Sequence, residues 1–208
     1  MTLVARPLLV RRGLRLTYAT LAYNSLEGIV AVGAGIGAGS IALIGFGVDS
    51  IIELTASVAA VWRLRADSGV ARREQVEGRS LRVVGACFLA LAGYMTYEAV
   101  KALLQREAPA ASLIGIGLAA LSLLVMPVLA HAKRRIALKL GSGALAAEAT
   151  QTAVCTYLSA ILLSGLVLNA QFGWWWADPV AALAMVPLIV REGMEGVRGR
   201  SACCAHDA

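Results

Sequence analysis

Charge is scarce in this chain. Only 15% of its 208 residues are Asp, Glu, Lys or Arg, and 59% are apolar, against about 25% and 45–50% in soluble domains. A soluble fold of this composition would expose large apolar patches and aggregate. The mean hydropathy of +0.73 therefore points to an integral membrane protein. Histidine is scarcer still, at two residues. That leaves no nucleophile–base–histidine constellation, and no Gly-rich phosphate loop accompanies it, so an enzyme is disfavoured. Cysteine is limited to Cys87 and Cys155 within apolar runs and Cys203-Cys204 near the end. None is predicted on the outer side, so no disulfide framework is expected. The net charge of +6 comes with no nucleic-acid motif.

What is abundant is apolar length. Spans fall at about 17–39, 40–62, 83–105, 112–132, 144–168 and 172–191. At about 20 residues each, six helices consume most of the chain. The expected plan is a cytoplasmic tail over 1–16, a six-helix domain over 17–191 and a short cytoplasmic tail over 192–208, with no sizeable soluble domain. The N-terminal arginines are followed by no small-residue cleavage site, so no signal peptide is read. The first two spans run together except for Gly33-Ala34-Gly35-Ile36-Gly37-Ala38-Gly39-Ser40. A single run from 17 to 62 would be far too long for a bilayer, so the segment reads as a hairpin turning in the glycines.

Basic residues then set the orientation. Seventeen Lys and Arg fall in the N-terminal tail, the 63–82 and 132–143 loops and the C-terminal tail. Only Lys101 and Arg106 fall on the other side. The positive-inside rule puts both termini in the cytoplasm. Trp174, Trp175 and Trp176, at the outer start of the sixth span, and Trp62, at the inner end of the second, read as interfacial anchors.

The acids inside these spans need a reason, because charge in hydrocarbon is expensive. They are Glu27, Asp49, Glu53, Glu98, Glu148 and Asp178. Glu98 has Lys101 one turn outward and reads as half of a salt bridge. The other five have no obvious cationic partner in the sequence, and an acid-lined interior without fixed countercharge attracts a metal ion or a proton. Asp49 and Glu53, at i and i+4, share one face of the second helix. Two such carboxylates repel when ionised, and a divalent cation or a shared proton relieves that repulsion. The competing reading is a neutral acid bonded to a neighbouring helix. Glu148, Gln151, Thr152 and Cys155 form a stripe on the fifth helix, readable as metal donors or as interhelical packing glue. Asn24 and Glu27 share a face of the first helix. Asp178, followed by Pro179, reads either as a ligand or as an N-cap. Cys203, Cys204 and His206 could hold a soft metal, but a short terminal segment more often stays disordered.

These residues resemble the membrane domain of the cation diffusion facilitator family. The likeness is carried by Asn24 and the Gly-rich turn, Gly39-Ser40-Ile41-Ala42-Leu43, Asp49-Ser50-Ile51-Ile52-Glu53, Ser142-Gly143-Ala144-Leu145-Ala146-Ala147-Glu148-Ala149 and Ala177-Asp178-Pro179-Val180-Ala181-Ala182-Leu183. It covers roughly residues 14–197. The resemblance implies an all-α six-helix bundle that exchanges Zn²⁺ or a similar divalent ion for protons, with no prosthetic group. It implies a four-residue transport site, an acid pair on the second helix and a His/Asp or Asp/Asp pair on the fifth. Asp49 and Glu53 match the first pair, with Glu replacing the usual second Asp. Gln151 and Cys155 stand at the other two positions, and Glu148, one turn earlier, offers an extra carboxylate. The family's cytoplasmic metal-binding domain has no counterpart here. A homodimer would then use membrane helices, with Gly85, Ala92 and Gly93 offering small surfaces on the third.

The expected function is proton-coupled efflux of Zn²⁺, or of Mn²⁺, Co²⁺ or Fe²⁺, across the cytoplasmic (inner) membrane. The alternative is a non-transporting metal sensor or accessory subunit on the same scaffold. The expected partners are the metal ion, protons and the lipid bilayer, with no nucleic acid.

Overall fold

The computed structural model describes residues 5–65, 70–140 and 143–198. These form six helices: α1 Ala5–Ala38, α2 Ile41–Arg65, α3 Val70–Gln105, α4 Leu113–Leu140, α5 Gly143–Phe172 and α6 Ala177–Val197. No strand occurs among the described residues. Three segments, Arg82–Gln105, Leu113–Leu140 and Glu148–Phe172, are long and apolar enough to cross a membrane by length and composition. The six-helix, all-α expectation is met.

Helix ends depart from the apolar spans. α1 begins at Ala5, inside the stretch expected as a tail. α3 begins at Val70, so most of the expected 63–82 loop is helical. α4 continues to Leu140, and α5 runs to Phe172, where the sixth span was expected to open. The reason is physical. Apolarity stops where the charges begin, but Arg, Lys, Glu and Ala are strong helix formers, so backbone hydrogen bonding carries on past the apolar window.

The turns show why the chain reverses where it does. Gly39 takes φ +68°. Ser40 N–H donates to the Gly35 carbonyl at 3.0 Å and Gly39 N–H to the Ile36 carbonyl at 3.4 Å, the paired bonds of a Schellman ending. The glycine-rich hairpin is thus a left-handed C-cap between α1 and α2. After α3, Ala110 N–H donates to the Ala38 carbonyl at 2.8 Å, and Asn169 Nδ2 donates to the Pro109 carbonyl at 3.0 Å. These bonds fasten the loop between α3 and α4 to the end of α1 and to α5. In the turn before α6, Trp174 stacks on Trp176 with ring centroids 5.0 Å apart, and both are exposed, as interfacial anchors require. The side chain of Trp62 lies outside the described residues.

The closest helix pairs are α1 with α2, α3 with α6 and α4 with α5. α2 also meets α3, α5 and α6, and α4 meets α1, so α2 is the hub. The interior is filled by Phe46, Phe88, Met95, Met126, Leu158 and Met185. Leu26, Ile29, Leu104, Leu113 and Leu124 point outward, as a lipid-facing surface would.

α3 and α6 touch backbone to backbone. A Cβ built on Gly85 would lie 2.5 Å from Val197 N and 2.6 Å from the Gly193 carbonyl oxygen. Gly85 and Ala92 are therefore buried within the chain, and of the three small residues expected to offer a dimer surface only Gly93 faces outward. Gly85→Ala is expected to cost about 1–3 kcal/mol by overpacking. Thermal melting in detergent measures it, with Gly93→Ala as control, because a Cβ there meets nothing within 4 Å.

Candidate functional site

The antiparallel α1–α2 hairpin brings Glu27 level with the acid pair. Ser50 Oγ, which lies between Asp49 and Glu53 in sequence, donates to Glu27 Oε2 at 2.9 Å. Glu27 and Glu53 are 1% exposed and Asp49 is 7% exposed, so all three acids face the interior. Cys155 of α5 is buried, within electrostatic reach of Glu53, Glu27 and Asp49. Asp49, Glu53, Glu27 and Cys155 are thus brought to one region, between α1, α2 and α5. Among the described residues, no three His, Cys, Asp or Glu side chains are gathered tightly enough to hold a metal ion by themselves.

For Glu148, the expectation of no cationic partner is corrected by Lys133. Its side chain is fully buried. Nζ donates to Glu148 Oε1 at 2.8 Å and to Thr152 Oγ1 at 3.0 Å. The sequence places Lys133 beside Arg134 and Arg135, and all three were counted with the cytoplasmic loop. Yet α4 stays helical to Leu140, and its buried stripe runs Gly115, Ala119, Ser122, Met126, Ala130, Lys133, Ala137. The spacing of three and four residues carries Lys133 inward, while Arg134 and Arg135 are exposed. The signal was present in the periodicity; only the end of the apolar window hid it. His131 is exposed.

Glu148 has both oxygens engaged. Oε1 accepts from Lys133 and from Ser57 Oγ at 3.2 Å, and Oε2 accepts from Thr17 Oγ1 at 3.0 Å. Four helices meet at this carboxylate: α1, α2, α4 and α5. Thr152 links the ion pair to the acid pair. Its single proton lies between Glu53 Oε1 at 2.8 Å and the Glu148 main-chain carbonyl at 2.9 Å. The chain Lys133–Thr152–Glu53 fixes one oxygen of Glu53 and leaves Oε2 without a hydrogen bond. Gln151, next to Thr152, is half-buried and is not part of this network. Sequence reasoning also missed Thr17, Ser57, Tyr23, Ser50 and Ser122. Small hydroxyl residues in apolar helices give no signal until a partner helix is known.

Asp178 is fully buried at the other end of the bundle. It does not cap its own helix, whose N-cap is Trp176 without a side-chain bond. Its carboxylate accepts from Ser40 Oγ at 2.5 Å, Ile41 N–H at 2.9 Å and Ala42 N–H at 3.5 Å. It therefore caps α2 from a distance, satisfying orphan donors of the first turn where the helix dipole favours an anion. Asp49 lies about 13 Å further along α2 at 1.5 Å per residue, so Asp178 stands apart from the acid pair. The expected Glu98–Lys101 salt bridge is present at 3.3 Å. Cys203, Cys204 and His206 lie outside the described residues.

A six-helix bundle with apolar outer faces, carrying buried acids and Lys133 in its interior, is a multi-pass membrane protein with a charge-bearing core. Residues 17–198 match the cation efflux transmembrane domain, and the chain belongs to that family of metal-cation efflux transporters. No curated protein matches it significantly.

Proposed function

We propose that this protein is a proton-coupled transporter that exports Zn²⁺ or a similar transition-metal ion across the cytoplasmic (inner) membrane, with both termini in the cytoplasm. The observation that carries the reading is the pair Asp49 and Glu53, one turn apart on the hub helix and enclosed on all sides. In this reading the ion binds Asp49 and Glu53 together with Cys155 and Gln151 of α5. Glu148, neutralised by Lys133, holds Thr152 and through it the orientation of Glu53. Ionised carboxylates and a thiolate bind metal, so ion binding releases protons and metal release takes them up. That exchange is the coupling. Access alternates as helices rock around the site. A homodimer, if formed, uses the outer side of α3 around Gly93, Tyr94 and Tyr97, which are exposed.

Purified protein in proteoliposomes with a trapped pH dye tests this reading. A proton gradient is expected to drive uptake of at least one of Zn²⁺, Mn²⁺, Co²⁺ and Fe²⁺, with proton movement in the opposite direction. A second reading, a metal sensor or accessory subunit, is favoured by the amide and thiol standing on α5 where the resemblance implies His or Asp. Equilibrium metal binding without any flux selects it.

A further inference from the structure

Six buried side-chain polar atoms lack a hydrogen bond among the described residues. They are Tyr23 Oη, both amide atoms of Asn24, Glu27 Oε1, Glu53 Oε2 and Ser122 Oγ. Asn24 and Ser122 are 0% exposed, and Glu27 and Glu53 are 1% exposed. Tyr23 and Ser122 approach the Glu27 carboxylate, and Asn24 approaches Glu53, but none closes a bond. An unsatisfied buried polar group costs about 1–3 kcal/mol. Such a cluster, drawn from α1, α2 and α4, is the lining of a polar occupant.

The charge identifies that occupant. Glu27, Asp49 and Glu53 face the region, with Glu192 of α6 acting on Asp49 and Glu53 from further off. Among the described residues, Lys133 is the cation that acts on Glu53, and it is itself paired with Glu148. The donors identify its class. Each of Glu27 and Glu53 has one oxygen held, by Ser50 and Thr152 respectively, and one oxygen open. To these two carboxylate oxygens the lining adds an amide oxygen and two hydroxyls. Apart from Asn24 Nδ2, the open atoms on α1, α2 and α4 are all oxygen, and oxygen donors suit hard divalent ions better than soft ones. It also contains only two acids, so the absence of a three-residue cluster of His, Cys, Asp and Glu does not count against it.

We infer that Asn24 and Glu27 of α1, with Ser122 of α4, form an oxygen-donor subsite that shares Glu53 with the acid pair and takes a hard divalent cation such as Mn²⁺. The inference rests on the transport reading above and moves part of the ion's coordination from α5 to α1. Glu27 is then a ligand rather than a structural acid, and Asn24 contributes its carbonyl oxygen.

The test is Mn²⁺ and Cd²⁺ flux in proteoliposomes, with equilibrium Mn²⁺ titration in detergent beside it. The variants are Glu27→Gln, Asn24→Leu, Cys155→Ala and Asp49→Asn. Thermal melting confirms that each is folded, and Glu27→Gln keeps both shape and the Ser50 bond. Glu27→Gln and Asn24→Leu are each expected to raise the Mn²⁺ half-saturation by about tenfold or more, equivalent to one lost donor of about 1.4 kcal/mol. Cys155→Ala is expected to weaken Cd²⁺ more than Mn²⁺. If Glu27→Gln and Asn24→Leu leave Mn²⁺ half-saturation and binding at wild-type values while Asp49→Asn abolishes flux, the subsite is wrong and the acid-pair reading stands. If no variant or wild type moves metal, but Glu27→Gln weakens Mn²⁺ binding about tenfold, the subsite stands and transport falls. Wild type that binds no Mn²⁺ at equilibrium overturns the subsite, its lining then holding only water.

Discussion

Lys133→Met is expected to destabilise the protein by about 3–5 kcal/mol, the usual cost of stranding one member of a buried ion pair. The substitution keeps the length and apolar stem of the side chain, so packing changes little. What it removes is the charge opposite Glu148, whose Oε1 sits 2.8 Å from Nζ. Thr17 and Ser57 still donate to Glu148, but two neutral hydroxyls do not replace an ammonium in an enclosed site. The pair also joins four helices, so the loss loosens contacts of α1, α2, α4 and α5 together. Thermal melting in detergent measures the effect, and the double variant Lys133→Met/Glu148→Gln is expected to recover most of it. A single variant that melts like wild type would show that the pair contributes nothing to stability. Arg134→Met is the control, since Arg134 is exposed.

The second large effect concerns transport. Asp49→Asn and Glu53→Gln keep size and remove charge. Among the described residues, the charged groups acting on Asp49 are the acids Glu53, Glu27 and Glu192. Removing its charge therefore relieves like-charge repulsion, and the empty protein should tolerate the change. Binding of a divalent ion should not. Even outer partners of a metal site typically cost 10–100-fold in affinity when removed, so neutralising a ligand is expected to lower flux by about a hundredfold or more. Stability and transport thus separate cleanly. Lys133→Met lowers the melting temperature, whereas Asp49→Asn leaves it level or raises it and stops the ion.

That separation was only partly legible in the sequence. Six helices follow from six apolar runs, and the first hairpin follows from its glycines, because both depend on local chemistry. The acid pair is legible because i and i+4 share a face whatever surrounds the helix. Lys133 was misplaced because a lysine among arginines at the end of an apolar window looks like loop charge. Its true position follows from a buried stripe that becomes visible only when α4 is allowed to run past that window. Asp-Pro opens many helices, so a local cap and a ligand both suit Asp178 in the sequence, but its carboxylate turns to the N-terminus of α2, which is 137 residues earlier in the chain. Contacts across that distance leave no periodic trace in one sequence. The hydroxyls of Thr17, Ser57 and Ser122 are silent for the same reason. They become readable only where another helix presents an acid.

The stripe on α5 divides in two once its neighbours are known. Glu148 and Thr152 belong to the network with Lys133, and Cys155, one turn further, is buried within electrostatic reach of Glu53 and Asp49. A helix face that looked like one row of candidate ligands is a hydrogen-bonded network around Glu148 followed by a buried thiol. The Thr152 hydroxyl links the Lys133–Glu148 pair to Glu53.

The account turns on Asp49 and Glu53 holding a moving cation. The direct measurement is the initial rate of Zn²⁺, Mn²⁺, Co²⁺ and Fe²⁺ flux in proteoliposomes carrying wild type or Asp49→Asn/Glu53→Gln at equal protein density. The expected result is flux of at least one ion by wild type and a fall of about a hundredfold in the double variant, with its melting temperature unchanged or raised. Equal flux of every ion by the two proteins would contradict it.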